Sequence, residues 1–166
     1  MELSVVSKGL HNVIEDIRST IFNLRPMTFE DLGLKASFER LLDFLNVEKE
    51  YSMDIDIDDI SCETDDYFCV TLYRVVQECL LNIKKHSGAS KVLFHCKRDH
   101  DKYVILIQDN GKGFTMEKAE DKANKHFGLA LIHEGVGLLD GTIHISSVVG
   151  KGTTIEIEIP TDSYKS

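Results

Sequence analysis

Between Asp65 and Ser87 the apolar residues Phe68, Leu72, Val75, Val76, Cys79 and Ile83 recur at steps of three and four. That spacing predicts a helix with one apolar face, able to pack on a sheet. Upstream, Leu3, Leu10, Ile17 and Leu24 fall seven apart, with Val6, Val13, Ile14 and Ile21 in companion positions. A seven-residue repeat keeps one seam of a long helix against a partner helix, so residues 1–24 read as part of a bundle or coiled coil. The partner is either the globular body or a second copy; the early start of the stripe favours a second copy. Pro26 ends or kinks this helix. Asp31 to Leu34 read as a connector, followed by a short amphipathic helix carrying Phe38, Leu41, Leu42 and Leu45 and ending near Glu48.

Alternation with period two marks the strands. In YSMDIDID, residues 51–58, Met53, Ile55 and Ile57 alternate with acids, which describes an edge strand with one wet face. Residues 91–98 and 102–109 are strand-like, and the polar turn Asp99, His100, Asp101 joins them as a hairpin. A polar, Lys-rich stretch from Thr115 to His126 follows, then a helix from Gly128 through Leu139. Two last strands flank the turn from Val149 to Gly152. In the second, Ile155, Ile157 and Ile159 alternate with Thr154, Glu156 and Glu158, giving one buried face. This order of elements predicts a two-layer α/β sandwich, a mixed sheet covered by helices on one face.

The 166 residues suit one ordinary domain with an appended element. No apolar run approaches the ~20 residues needed to span a bilayer, and no signal peptide opens the chain. A soluble piece is expected, with any membrane anchor outside it. The formal net charge of −9 argues against a nucleic-acid binder. A polyanionic ligand therefore needs a local positive patch. Cys62, Cys69, Cys79 and Cys96 have no CxxC spacing and read as buried thiols of a reducing compartment.

The helix over 65–87 carries a second stripe. Arg74, Glu78 and Asn82 are four apart, with Lys85 and His86 one turn on, so a carboxylate, an amide oxygen and two cations converge on one patch. Such a patch suits a magnesium-bound phosphate chain, although a solvated polar helix edge has the same pattern. In DNGKGF, Asp109 ends an apolar strand, and Gly111 and Gly113 let the backbone approach a flat or charged ligand. A partly desolvated carboxylate needs a donor, such as the exocyclic amine of adenine; an unpaired one costs ~1–3 kcal/mol. Asn110-Gly111 is equally a common turn.

The segment from Phe114 to Phe127 is long enough for a lid. The region carries Lys112, Lys118, Lys122, Lys125 and His126 against Glu117, Glu120 and Asp121, a slight positive excess on an acidic chain. Gly128 then opens a helix whose free N–H groups form a natural anion site; a surface loop before a capped helix is the plainer reading.

In this order, a Glu-xxx-Asn helix, a strand-end DxGxG, a basic segment ending in Gly-Leu, and GxGT from Gly150 to Thr153, the chain resembles the ATP-binding domain of bacterial sensor histidine kinases. Gyrase B, Hsp90 and MutL share that fold. Residues 24–34, LRPMTFEDLGL, are similar to the join between dimerisation helices and ATPase domain in DegS-like kinases that pair with NarL- and DegU-type response regulators. The resemblance implies that residues 1–26 are the second helix of a dimerisation and phosphoacceptor bundle and that 27–166 form the ATP-binding catalytic domain. By the same resemblance Asn82 ligates Mg²⁺, and Glu78 sits beside the γ-phosphate as base or polarising carboxylate. Lys85 and His86 contact phosphates. Asp109 takes the adenine amine with Thr153 in support, Gly111 and Gly113 shape the adenine pocket, and Gly128 and Leu129 meet the phosphates.

The implied partners are ATP, a phosphoacceptor histidine helix of the parent protein, a response regulator, and a second copy through the N-terminal helix, in the cytoplasm. Two alternatives stay open: a serine kinase of the anti-sigma-factor type, and a non-catalytic dimerisation module with a decayed nucleotide site. The second rests on a departure. The family pattern GLxGMxERV reads GLALIHEGV here, with Leu131 at the second glycine and Gly135 at the arginine. His11 lies too close to the 24–34 segment to match the family's acceptor histidine.

Overall fold

The computed structural model of the chain describes residues 29–46, 52–58, 66–115 and 127–161. The seven-residue stripe of 1–24, Pro26 and the basic residues 116–126 lie outside them. The described elements are α1 (Phe29–Leu45), β1 (Ser52–Ile57), α2 (Asp66–Asn82), a π-helical turn (Ile83–Ser87), β2 (Lys91–Asp99), β3 (Lys102–Asp109), α3 (Phe127–Leu138), β4 (Thr142–Val148) and β5 (Gly152–Pro160). The five strands form one sheet in the order β1-β2-β3-β5-β4. Only β1 and β2 pair in parallel, with α2 as their crossover; the other pairs are antiparallel. The mixed sheet with helices on one face is the expected architecture.

Period-two burial decides which face the helices cover. Val92, Phe94 and Cys96 of β2, Tyr103, Ile105 and Ile107 of β3, and Ile155, Ile157 and Ile159 of β5 are all buried, while their neighbours are not. Helix α2 meets this face with Phe68, Leu72, Val75, Val76, Cys79 and, in the π turn, Ile83, each nearly inaccessible. Both α1 and α3 pack against α2, so the helical layer is assembled around it. Phe38 of α1 is completely buried, edge-on to Phe94 (centroids 5.5 Å apart) and stacked on Tyr73 (6.3 Å), joining three elements.

Three local expectations change. The Asp31–Leu34 connector falls within α1, which is broken at Gly33, where φ 70° and ψ 169° are conformations glycine reaches at little cost. The alternation of β1 is right, but only Ile57 is buried; Ile55 stays 41% exposed because β1 is the outermost strand. That edge is tied down at its end. Lys97 bridges Asp56 and Asp58, and the Arg98 N–H donates to Asp58 Oδ2 (3.0 Å), so these partners hold the Asp58 carboxyl below its ordinary value.

Among the cysteines, Cys79 and Cys96 are free and buried, and burial pushes the Cys96 thiol up to about 12. Cys69 departs from the free-thiol expectation, since it is disulfide-bonded. Spacing along the chain carries no information about a pair formed in space. Among the described residues no helix is long and apolar enough to cross a membrane.

Removing the Phe38 ring leaves a cavity at the junction of α1, α2 and β2. Phe38→Ala is expected to lower unfolding free energy by about 3–5 kcal/mol, read from denaturant midpoints at constant m-value.

Candidate functional site

Where α2 gives way to the π turn, a cavity of about 310 Å³ opens between the helical layer and the ends of β3 and β5. Ile83, Ile107 and Ile155 form apolar walls, with Cys79, Phe114 and Leu129 around them. Asn82, His86, Asp109, Lys112 and Thr153 supply the polar groups. The polar residues arrive by different routes. Four residues per step carry one side of α2 from Glu78 to Asn82 and on to His86, of which Asn82 and His86 line the cavity. The π turn, with its i→i+5 bonds, brings Ser87 round to the cavity as well. Gly88 then ends the helix in the left-handed conformation, φ 61°.

Strand β3 brings the acid. Tyr103, Ile105, Ile107 and Asp109 share the buried face, so the run of apolar residues ends in a carboxylate only 5% exposed. Burial raises its pKa above the ordinary carboxylate value; hydrogen bonds from the Gly111 and Thr153 backbones and the Thr153 hydroxyl pull the other way. The Gly111 N–H donates to Asp109 Oδ1 at 2.7 Å. Thr153 is the register partner of Asp109 across β3–β5, which aims it at the carboxylate.

The loop after Asp109 is held on three sides. Asn110 Oδ1 accepts from the Ser90 and Lys91 N–H groups (2.9 and 2.8 Å), fixing the loop to the start of β2. The Lys112 N–H donates to the Ser87 carbonyl (2.9 Å), fixing it to the π turn. The Gly150 N–H donates to the Lys112 carbonyl (2.7 Å), and the Phe114 N–H to Ser147 Oγ (2.9 Å), fixing it to the β4–β5 hairpin. Packing this close leaves no room for a side chain at position 111: a Cβ there would collide with the Ser87 carbonyl oxygen and lie 2.8 Å from Asp109 Oδ1.

Opposite Asp109, the start of α3 comes against α2. A Cβ on Gly128 would collide with Glu78 Oε1 and lie 3.2 Å from Asn82 Nδ2, so both α2 side chains reach the first turn of α3. The positive end of that helix favours the carboxylate.

Of the expected residues, Asn82, His86, Asp109, Gly113, Gly128, Leu129 and Thr153 line this one cavity. Gly111 binds Asp109 from just outside the lining, and Glu78 faces Gly128. Lys85 is exposed and does not line the cavity. Leu131 is 45% exposed, and Gly135 packs on Val75; neither lines the cavity. The expected site omits Cys79, Ile83, Ser87, Ile107, Lys112, Phe114 and Ile155. Two of these are legible in hindsight, because Ile107 precedes Asp109 by two and Ile155 follows Thr153 by two, on the same strand faces.

A family described as histidine kinase-, DNA gyrase B-, and HSP90-like ATPase matches residues 69–163. The chain is 38% identical over 143 residues to the signal transduction histidine-protein kinase/phosphatase DegS of Bacillus subtilis, covering 82% of this chain and 36% of that protein. It is 35% identical over 147 residues to the Bacillus subtilis sensor histidine kinase LiaS, covering 87% and 39%. The chain thus spans well under half the length of these relatives. Among solved structures, the histidine kinase domain of the Erythrobacter litoralis blue-light activated histidine kinase matches with TM-score 0.67 at 15% identity, over 80% of this chain and 62% of that one. The Acinetobacter baumannii histidine kinase AdeS matches with TM-score 0.64 at 20% identity, over 95% and 85%. At these identities the structures establish the fold alone.

The crowding at position 111 has a measurable consequence. Gly111→Ala is expected to lower stability by about 1–3 kcal/mol, with faster hydrogen exchange at Lys112 N–H as the Ser87 contact loosens.

Proposed function

Because the chain belongs to the histidine kinase-, DNA gyrase B- and HSP90-like ATPase family, we propose that its cavity binds Mg·ATP and presents the γ-phosphoryl group to a histidine. It is then the ATP-binding catalytic domain of a sensor histidine kinase. The observation that carries this reading is that Asn82 and Asp109, remote in sequence, face one cavity.

Asp109 accepts the adenine amine. Gly111 and Thr153 orient its carboxylate, and two carboxylate oxygens have lone pairs to spare for a further donor. Ile83, Ile107 and Ile155 give the base a dry, flat surround, and Gly113 keeps the wall beside Phe114 thin. His86, Lys112 and the Gly128 and Leu129 N–H groups meet the phosphates, a helix N-terminus being suited to anions. Lys85 lacks this support, because its side chain stands away from the cavity.

The Asn82 amide oxygen and the neighbouring Glu78 carboxylate are hard oxygen donors, which fit Mg²⁺. Among the described residues no group of three or more His, Cys, Asp or Glu is arranged to hold a metal. That suits an ion arriving on the nucleotide's own phosphates, where it would neutralise their charge. Asn82 orients the phosphate chain, and Glu78, beside the first turn of α3, polarises the attacking imidazole or takes its proton. Phosphoryl transfer asks mainly for such positioning and charge neutralisation.

The acceptor is a histidine on a phosphoacceptor helix of the parent protein, since His11 does not match that position. A response regulator then receives the phosphoryl group. The stripe Leu3, Leu10, Ile17 and Leu24 pairs two copies of the parent. Leu131 and Gly135 depart from the family pattern away from the cavity, so the base site keeps its full inventory.

Calorimetric titration with a nonhydrolysable ATP analogue and Mg²⁺ tests the reading, and absence of binding at millimolar nucleotide would overturn it. Asp109→Asn is expected to weaken binding by ~1–3 kcal/mol, roughly 5- to 150-fold; unchanged affinity would remove Asp109 from the base site. The wild-type affinity should also depend on pH. Base recognition needs the carboxylate, whose pKa is raised, so affinity is full at neutral pH and falls as acid protonates Asp109, starting above the usual carboxylate range. Asp109→Asn flattens that decline.

A further inference from the structure

Ser147 lies outside the cavity lining, yet its hydroxyl touches two residues that belong to it. Ser147 Oγ accepts the Phe114 N–H at 2.9 Å, lies 3.0 Å from Thr153 Oγ1, and is 3.1 Å from the Gly152 carbonyl oxygen. A hydroxyl has one proton to give. Ser147 gives its own to the Gly152 carbonyl and accepts the Phe114 N–H, and its contact with the Thr153 hydroxyl ties Phe114 to Thr153, the register partner of Asp109.

Ser147 thus joins Phe114 on the aromatic wall of the cavity to the residue paired with its buried acid, Asp109. Among the described residues, no hydrogen bond joins Ser147 to Asn82 or Gly128. The position at the foot of β4 also suits the task. Ser147 pairs with Thr153 in register across β4–β5, so strand geometry holds the two hydroxyls together.

We propose that Ser147 is a positioning residue for the base: its hydroxyl holds Thr153 in place beside Asp109 and Phe114 at the cavity wall. This rests on the cavity being the adenine site. Ser147 is then expected to control affinity for the base while leaving the phosphate end unchanged.

The test is displacement of a fluorescent ATP analogue from the full chain, with Mg²⁺, by two competitors: a nonhydrolysable ATP analogue and base-free tripolyphosphate. Ser147→Ala is expected to weaken the ATP analogue about tenfold, the effect of one lost hydrogen bond, and tripolyphosphate less than about twofold. Ser147→Thr keeps the hydroxyl and is expected to restore wild-type affinity. Equal weakening of both competitors, or no recovery in Ser147→Thr, would make Ser147 merely structural and overturn the proposal. Unchanged ATP-analogue affinity in Ser147→Ala would overturn it too, leaving the nucleotide reading intact. A wild-type chain that binds no ATP analogue overturns the nucleotide reading itself. If Ser147→Ala does not fold, Ser147→Cys, a weak hydrogen-bond partner of similar size, is held to the same expectations.

Discussion

A carboxylate buried at the end of a strand is the constraint around which this site is built. Asp109 ends the buried face of β3, where Tyr103, Ile105 and Ile107 precede it, so its desolvation is imposed by the strand. Burying a charge is tolerable only when donors are supplied. They come from the next turn of chain, through Gly111, and from the facing strand, through Thr153. The remaining acceptor capacity faces the cavity. Burial thus both raises the pKa and creates the demand for a further donor.

Supplying those donors forces the chain into close quarters. Gly111 sits against the Ser87 carbonyl, and Gly128 against Glu78 and Asn82, contacts that a methyl group would break. The π turn contributes to the same economy of space. It brings Ser87 round to the DNGKGF loop, where its carbonyl receives the Lys112 N–H. Helix, loop and hairpin thereby become one wall, and a displacement of any of them is felt at Asp109.

On a chain with a net charge of −9, an anionic ligand needs local help. His86, Lys112 and the first turn of α3 line the same cavity as the apolar walls and Asp109. Strand faces supply Ile107, Asp109, Thr153 and Ile155 to it, and helix ends supply Asn82, His86, Gly128 and Leu129.

Much of this was legible in the residues alone. Periodicity of three and four identified the apolar face of α2, and alternation identified β1 and β5, because those spacings follow from backbone geometry that any tertiary context preserves. The order of Asn82, the DxGxG of Asp109 to Gly113, Gly128 and Thr153 carried the family. Other features were decided only by folding. Gly33 bends within a helix where a connector was expected, Ile55 faces solvent because nothing lies beyond the edge strand, and Cys69 is paired. Lys85 and His86 are neighbours in sequence, yet only His86 lines the cavity. Ser147 gave no sign of its contacts. Local spacing reports which face a residue occupies, whereas which remote group it meets there depends on how strands register and helices pack, and that is settled only when the whole chain has closed.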